Sequence, residues 1–211
     1  MARPRVPLLS RERIRDAALV LVDRDGLAEV SMRKLAAELG VRAASLYGHY
    51  PNKDELFDDI AAGIMAAVDT SAFDTAAWDL ALAAWARSYR TALSTHPNFV
   101  PYLATGPGHR AENLRAADAV HGGLVGAGWP PRYATMIGAA TRYLVMGSTV
   151  GSFAGGFADD IQVYRDRYPH LNQAHRLAAV ADEIDTDSFE LALTAFIAGL
   201  HATYAQVVTA N

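Results

Sequence analysis

Between Arg42 and Lys53 the chain reads RAASLYGHYPNK, a run of short and polar side chains that a buried helix does not need. Ser45 carries a hydroxyl, Tyr47 and Tyr50 carry phenols, and His49 carries an imidazole, with the cations Arg33, Arg42 and Lys53 nearby. Donors of this kind reach phosphate oxygens, while Ser45 and the methyls of Ala43 and Ala44 can meet base edges at close approach. Lys53 opens a helix whose free N–H groups also favour an anion. Packing into a helical core is the competing reading for Tyr47 and Tyr50. No G-x-S-x-G elbow, P-loop or H-E-x-x-H pair occurs, so no catalytic residue is assigned and no enzyme activity is expected.

These groups need elements to position them. Ser10 is placed to cap a helix in which Ile14, Ala17, Ala18, Leu21 and Val22 form one apolar face, ended by Gly26. Ser31 caps a second, with Met32, Leu35, Ala36 and Leu39, stopped at Gly40. A third, short helix must lie between Arg42 and Tyr50, because Pro51 cannot continue it. Asn52 and Glu55 make a capping-box-like start for a fourth, with Leu56, Ile60, Gly63, Ile64 and Ala67.

The spacing around Gly40 is that of a helix-turn-helix. Ala36, four residues before Gly40, is small enough for two helices to approach. Gly40 takes the positive φ of the turn, and Leu46, six residues after it, pins the second helix to the core. Residues facing away from Leu46 are then free to enter a major groove.

Further helices are expected at 75–95, 97–104, 111–127, 132–155, 174–182 and 187–208, broken at Pro97, TGPGH, GAGWPP and GGFADD, with 157–173 partly irregular. No stretch alternates convincingly, so the fold class is all-α. The expected organisation is a helix-turn-helix DNA-binding domain over 9–55 and a larger helical domain over 56–211.

The 211 residues carry a net charge of −4, unevenly spread: residues 1–55 hold ten basic groups against eight acidic ones, and the remainder nine against fifteen. A basic end on an acidic body suits a polyanionic partner. There is no cysteine, which excludes disulfides and thiol chemistry. The N-terminus lacks a signal-peptide apolar run, and Arg142 interrupts the apolar window Thr135–Phe153, so no membrane span and a cytoplasmic location are expected.

The stretch Ile14 to Ile60, with Leu-Gly-Val followed by Leu-Tyr, His-Tyr and a lysine two residues beyond Pro51, strongly resembles the N-terminal domain of the TetR family of transcriptional regulators. HPNFVPYLATGPG, GLVGAGWPP and DSFELALTAFIAGLHA resemble, more weakly, the C-terminal half of regulators close to the tetracycline repressor. The resemblance implies a homodimeric repressor on a palindromic double-stranded operator, released by a small-molecule effector. An activator, or a regulator without an effector, has the same fold. An all-α carrier or enzyme with an incidental helix-turn-helix is the reading from another class.

In that family the C-terminal half binds the effector and dimerises through its last two long helices, here about 132–155 and 187–208. The dimer candidates are Gly147, Gly151 and Gly155, which recur every four residues, and the stripe Phe189, Leu193, Phe196, Ile197 and Leu200; internal core is the alternative for both. Candidate cavity residues are Trp85, Tyr89, Phe99, Tyr102, Leu103, Met136, Tyr143 and Met146, with Arg142 as a cation needing a carboxylate or an anionic ligand. The positions matching the family's metal-chelate ligands fall near Tyr102 and Gly151, neither suited to a hard cation. The histidines show no i, i+4 pairing, so no metal and no cofactor are assigned.

Overall fold

The computed structural model describes residues 9–105, 110–165 and 167–208. The arginines at 3 and 5, and most of the TGPGH break, lie outside the described residues. All regular structure among the described residues is helical.

Helices α1 (Arg11–Asp25), α2 (Met32–Glu38), α3 (Ala43–Tyr47) and the start of α4 (Lys53–Ala66) build the N-terminal unit. The side chains of Ser10, Ser31 and Asn52 accept from the backbone N–H groups of Arg13, Lys34 and Glu55, at 3.1, 3.2 and 2.8 Å. Each satisfies an N–H that the first helical turn leaves without a partner. Ile14, Leu21, Leu35, Leu46, Leu56 and Ile60 meet in a core from which water is excluded. Gly40 adopts φ 66° and closes α2, with the Val41 N–H donating to the Ala36 carbonyl at 2.9 Å. That backbone favours glycine, because an L side chain there crowds its own carbonyl.

The body comprises α5 (Trp78–Ser94), α6 (Val100–Thr105), α7 (Ala111–Gly126), α8 (Pro131–Gly147) and α9 (Ala181–Val208). The N-terminal unit is tied to it at the end of α1. The Asn98 amide donates to the carbonyls of Val22 and Asp23, and His96 Nδ1 lies 2.8 Å from the Asp23 carboxylate. A bidentate Arg87–Glu190 pair joins α5 to α9, and the guanidinium holds the Glu190 carboxyl below its ordinary range.

Two helix boundaries differ from expectation. The helix expected over 132–155 stops at Gly147: the Ser148 and Thr149 hydroxyls turn back onto the Val145 carbonyl at 2.8 and 3.2 Å, and 3-10 turns follow. Short hydroxyl side chains offer a helix's last carbonyls a partner that competes with another turn. Gly151 and Gly155 therefore sit off the helix, and the four-residue recurrence makes no helical face. Conversely, the break expected near 182–187 is absent. Asp182 and Glu183 fall in the first turn of α9, where acidic groups favour a helix start, and the segment before it is a 3-10 helix, Ala174–Val180.

Candidate nucleic-acid interface and effector cavity

α3 is held from one side only. Leu46 is fully buried beneath it, while Arg42, Ala44, Ser45 and Tyr47 are exposed and Ala43 and His49 half-buried. Tyr47 is 51% exposed and makes no hydrogen bond among the described residues. Arg33 on α2 is also exposed, and neither Arg33 nor Arg42 has an ion-pair partner among the described residues. Lys53 is half-buried; its ammonium lies 3.4 Å from the Val30 carbonyl and over the Phe57 ring. The exposed side of α3 is thus a face of small groups flanked by cations, with no carboxylate on the helix itself.

Tyr50 does not belong to that face. It is fully buried, its hydroxyl donating to the Asp59 carboxylate with the Arg11 carbonyl 3.1 Å away, and its ring lies under the Arg11 guanidinium. Burial and the Asp59 charge both hold its phenol well above the ordinary value. A tyrosine serves here as a core residue because a partner for its hydroxyl lies inside.

A second feature lies between α5, α7 and α8. A cavity of about 710 Å³ opens there, lined by Trp85 and Tyr89 of α5, Asn113, Ala117 and Val120 of α7, and Ala134, Gly138 and Arg142 of α8, with Met65 from α4. On α8, Thr135, Gly138, Ala139 and Arg142 follow helical spacing and line it. A Cβ at Gly138 would make only an ordinary contact with Val120, at 3.8 Å.

Of the nine candidate cavity residues, Trp85, Tyr89 and Arg142 line it; the other six do not. Met136 and Tyr143 are seven residues apart on the opposite face of α8, 51% and 70% exposed. Phe99, Leu103 and Met146 are buried in the core. Tyr102 packs edge-on against Phe57, with its hydroxyl donating to Asp58 at 3.0 Å. Arg110 completes that cluster: its side chain is 8% exposed, pairs with Asp58 at 2.6 Å, and lies over the Tyr102 ring. A link between α4 and the start of α7 results, which sequence reading missed because Arg110 and Asp58 are far apart in the chain.

The α9 candidates divide. Phe189, Leu193 and Leu200 are buried within the protomer, and Phe196 and Ile197 are half-buried against the same core. The outward side of α9 is instead Leu191, Ala195, Ala198 and Ala202, all exposed. Gly147, at the end of α8, is exposed with nothing near its missing Cβ. From Pro169 to Val208 the chain is apolar enough by length and composition to cross a membrane, with only 11% of the most apolar window buried in the protomer. The window Thr135–Phe153, which the sequence offered for that role, does not pass the same test among the described residues.

Residues 14–60 match the model for bacterial regulatory proteins of the tetR family, and residues 72–204 match the tetracycline repressor-like C-terminal domain. The chain belongs to the TetR family. A helix-turn-helix transcriptional regulator of Saccharopolyspora erythraea is 32% identical over 142 residues, 67% of this chain and 60% of that protein, so the chain matches less than two thirds of its relative's length. A crystal structure of a possible TetR family regulator from Streptomyces coelicolor A3(2) superimposes with a TM-score of 0.75 at 28% identity, covering 92% of this chain and all of that one. ActR of the same species, solved with actinorhodin, gives 0.70 at 26% identity over 92% of this chain and 98% of its own. The TetR family comprises DNA-binding transcriptional regulators rather than enzymes, and the helical two-part architecture described above is the one its members share.

Proposed function

We propose that this TetR family protein is a homodimeric repressor that sets α3 of each protomer into successive major grooves of a palindromic operator and leaves it when a small molecule fills the α5–α7–α8 cavity. The observation that carries the reading is the course of α4. This single helix of 14 residues, about 21 Å long, has Lys53 at the DNA-facing end and Met65 in the cavity wall. Whatever repositions one end of a rigid helix is felt at the other.

Exposed Ser45, Tyr47, Arg42 and Arg33 would contact the duplex, with Ala44 and half-buried Ala43, His49 and Lys53 at its margin. The two-fold pairing would bring together the outward faces of α8 and α9, where Gly147, Leu191, Ala195 and Ala198 leave room for close approach. Burial between two copies accounts for an exposed apolar α9 better than lipid does, because Asp182, Glu183, Asp187 and Glu190 crowd its first turns. Relatives support two parts of it: one is named a helix-turn-helix transcriptional repressor of Streptomyces coeruleorubidus, and ActR was solved in complex with actinorhodin.

Selection of bound duplexes from a random pool, followed by a compound screen for their release, tests the reading. A palindromic consensus whose affinity falls steeply with salt is the expected result. No sequence preference at low ionic strength would overturn it.

A further inference from the structure

The cavity holds one guanidinium, Arg142, and one carboxylate, Asp118, in its lining, and no ion pair joins them among the described residues. Arg142 lines it from α8, half-buried, and among the described residues no carboxylate lies within ion-pair distance. Its acceptors are neutral: the Leu103 carbonyl, at a marginal 3.5 Å, and the Tyr89 hydroxyl. Beside it is the Tyr89 hydroxyl, whose phenol burial raises and the Arg142 charge pulls back. Across α5, Trp85 is 6% exposed, lines the same cavity, and its Nε1–H is buried with no acceptor. The indole N–H is thus desolvated without an acceptor, and the half-buried guanidinium has neutral acceptors but no carboxylate partner.

The other charged and polar groups do not fill that need. Asp58 of α4 is already taken by Arg110 and Tyr102. Asp118 lines the cavity from the exposed side of α7 but makes no ion pair with Arg142. His121 is turned to the Pro131 carbonyl at 3.3 Å. Trp85 and Tyr89 stack at 6.0 Å, and Ala117, Ala134 and Gly138 also line the cavity. Aromatic walls of this kind suit planar rings, and about 710 Å³ is room for a polycyclic one.

We propose that the effector is a planar aromatic molecule bearing a carboxylate, its anion held by Arg142 beside Tyr89 and its rings lying along Trp85. Charge-assisted bonds to a guanidinium are the strong ones, and they supply the counter-charge that Arg142 lacks. The proposal rests on the cavity being the effector site.

The test uses the full-length protein and a matched pair of fluorescent probes, 2-anthroate and the uncharged 2-anthracenecarboxamide. Wild type is expected to bind the anthroate at least tenfold more tightly. In Arg142→Gln the two are expected to bind alike, and Arg142→Lys to keep most of the preference. Equal affinity of the wild type for both probes overturns the assignment while leaving the cavity as a binding site. So does an Arg142→Gln protein that weakens both equally. If neither probe binds, the cavity reading falls and this inference with it. Should Arg142→Gln fail to fold, the wild-type comparison decides alone.

Discussion

The Tyr50 hydroxyl donates to the Asp59 carboxylate, fastening the end of α3 to the second turn of α4. Its phenol is held above the ordinary value near 10, chiefly by burial and then by the Asp59 charge. Below that ordinary value both folded and unfolded chains keep the proton, and the contribution is complete. Above it the unfolded chain ionises while the folded one does not, so stability falls as pH rises. Tyr50→Phe should cost about 1–2 kcal/mol at neutral pH and remove this share of the alkaline loss. Urea unfolding at pH 8, 10 and 11 measures both effects; an unchanged alkaline slope would show that another group sets it.

Tyr47→Ala should act in the opposite manner. Its side chain is 51% exposed and unbonded among the described residues, so the melting temperature should not move. Operator affinity should fall about tenfold, ~1.4 kcal/mol. Fluorescence anisotropy with the selected duplex reads the second, calorimetry the first.

Much of this was legible in the chain. Three of the caps that open α1, α2 and α4, the glycine of the turn and Leu46 could be read because each is a local requirement written in one or two residues. Tyr50 could not be separated from Tyr47 by type, since what divides them is Asp59, nine residues on, waiting inside. The cavity was misread for a related reason. Aromatic and apolar residues such as Phe99 and Met146 draw attention, yet the space comes from small ones, Ala117, Ala134 and Gly138, whose significance appears only when α7 and α8 lie face to face. The end of α8 was missed because the four-residue recurrence of Gly147, Gly151 and Gly155 reads as a helical face, ahead of the signal in Ser148 and Thr149.

Arg110→Met probes the link between α4 and the body. The pair with Asp58 is half in solvent on the acid's side, so the loss of stability should be small, about 1 kcal/mol. The effector concentration that releases DNA should shift several-fold, because Arg110 precedes α7, which lines the cavity, and holds α4 by Asp58. A release curve superimposable on the wild type's would remove this contact from the switch.

Gly147→Leu should leave the protomer's helicity intact, since nothing lies within 4 Å of the added Cβ. Association of two copies should weaken at least tenfold, read by analytical ultracentrifugation over a dilution series. Unaltered self-association would move the two-fold contact away from this end of α8.

α3 is only five residues long, far below the ~12–15 at which an isolated helix holds itself in water. It consequently has no bearing of its own; its angle is inherited from α1 and α4 through Leu46 and Tyr50. On the proposed reading, an effector need not melt or rebuild the reader to silence it. Tilting the mount is enough, and two mounts tilted apart no longer match the pitch of the double helix.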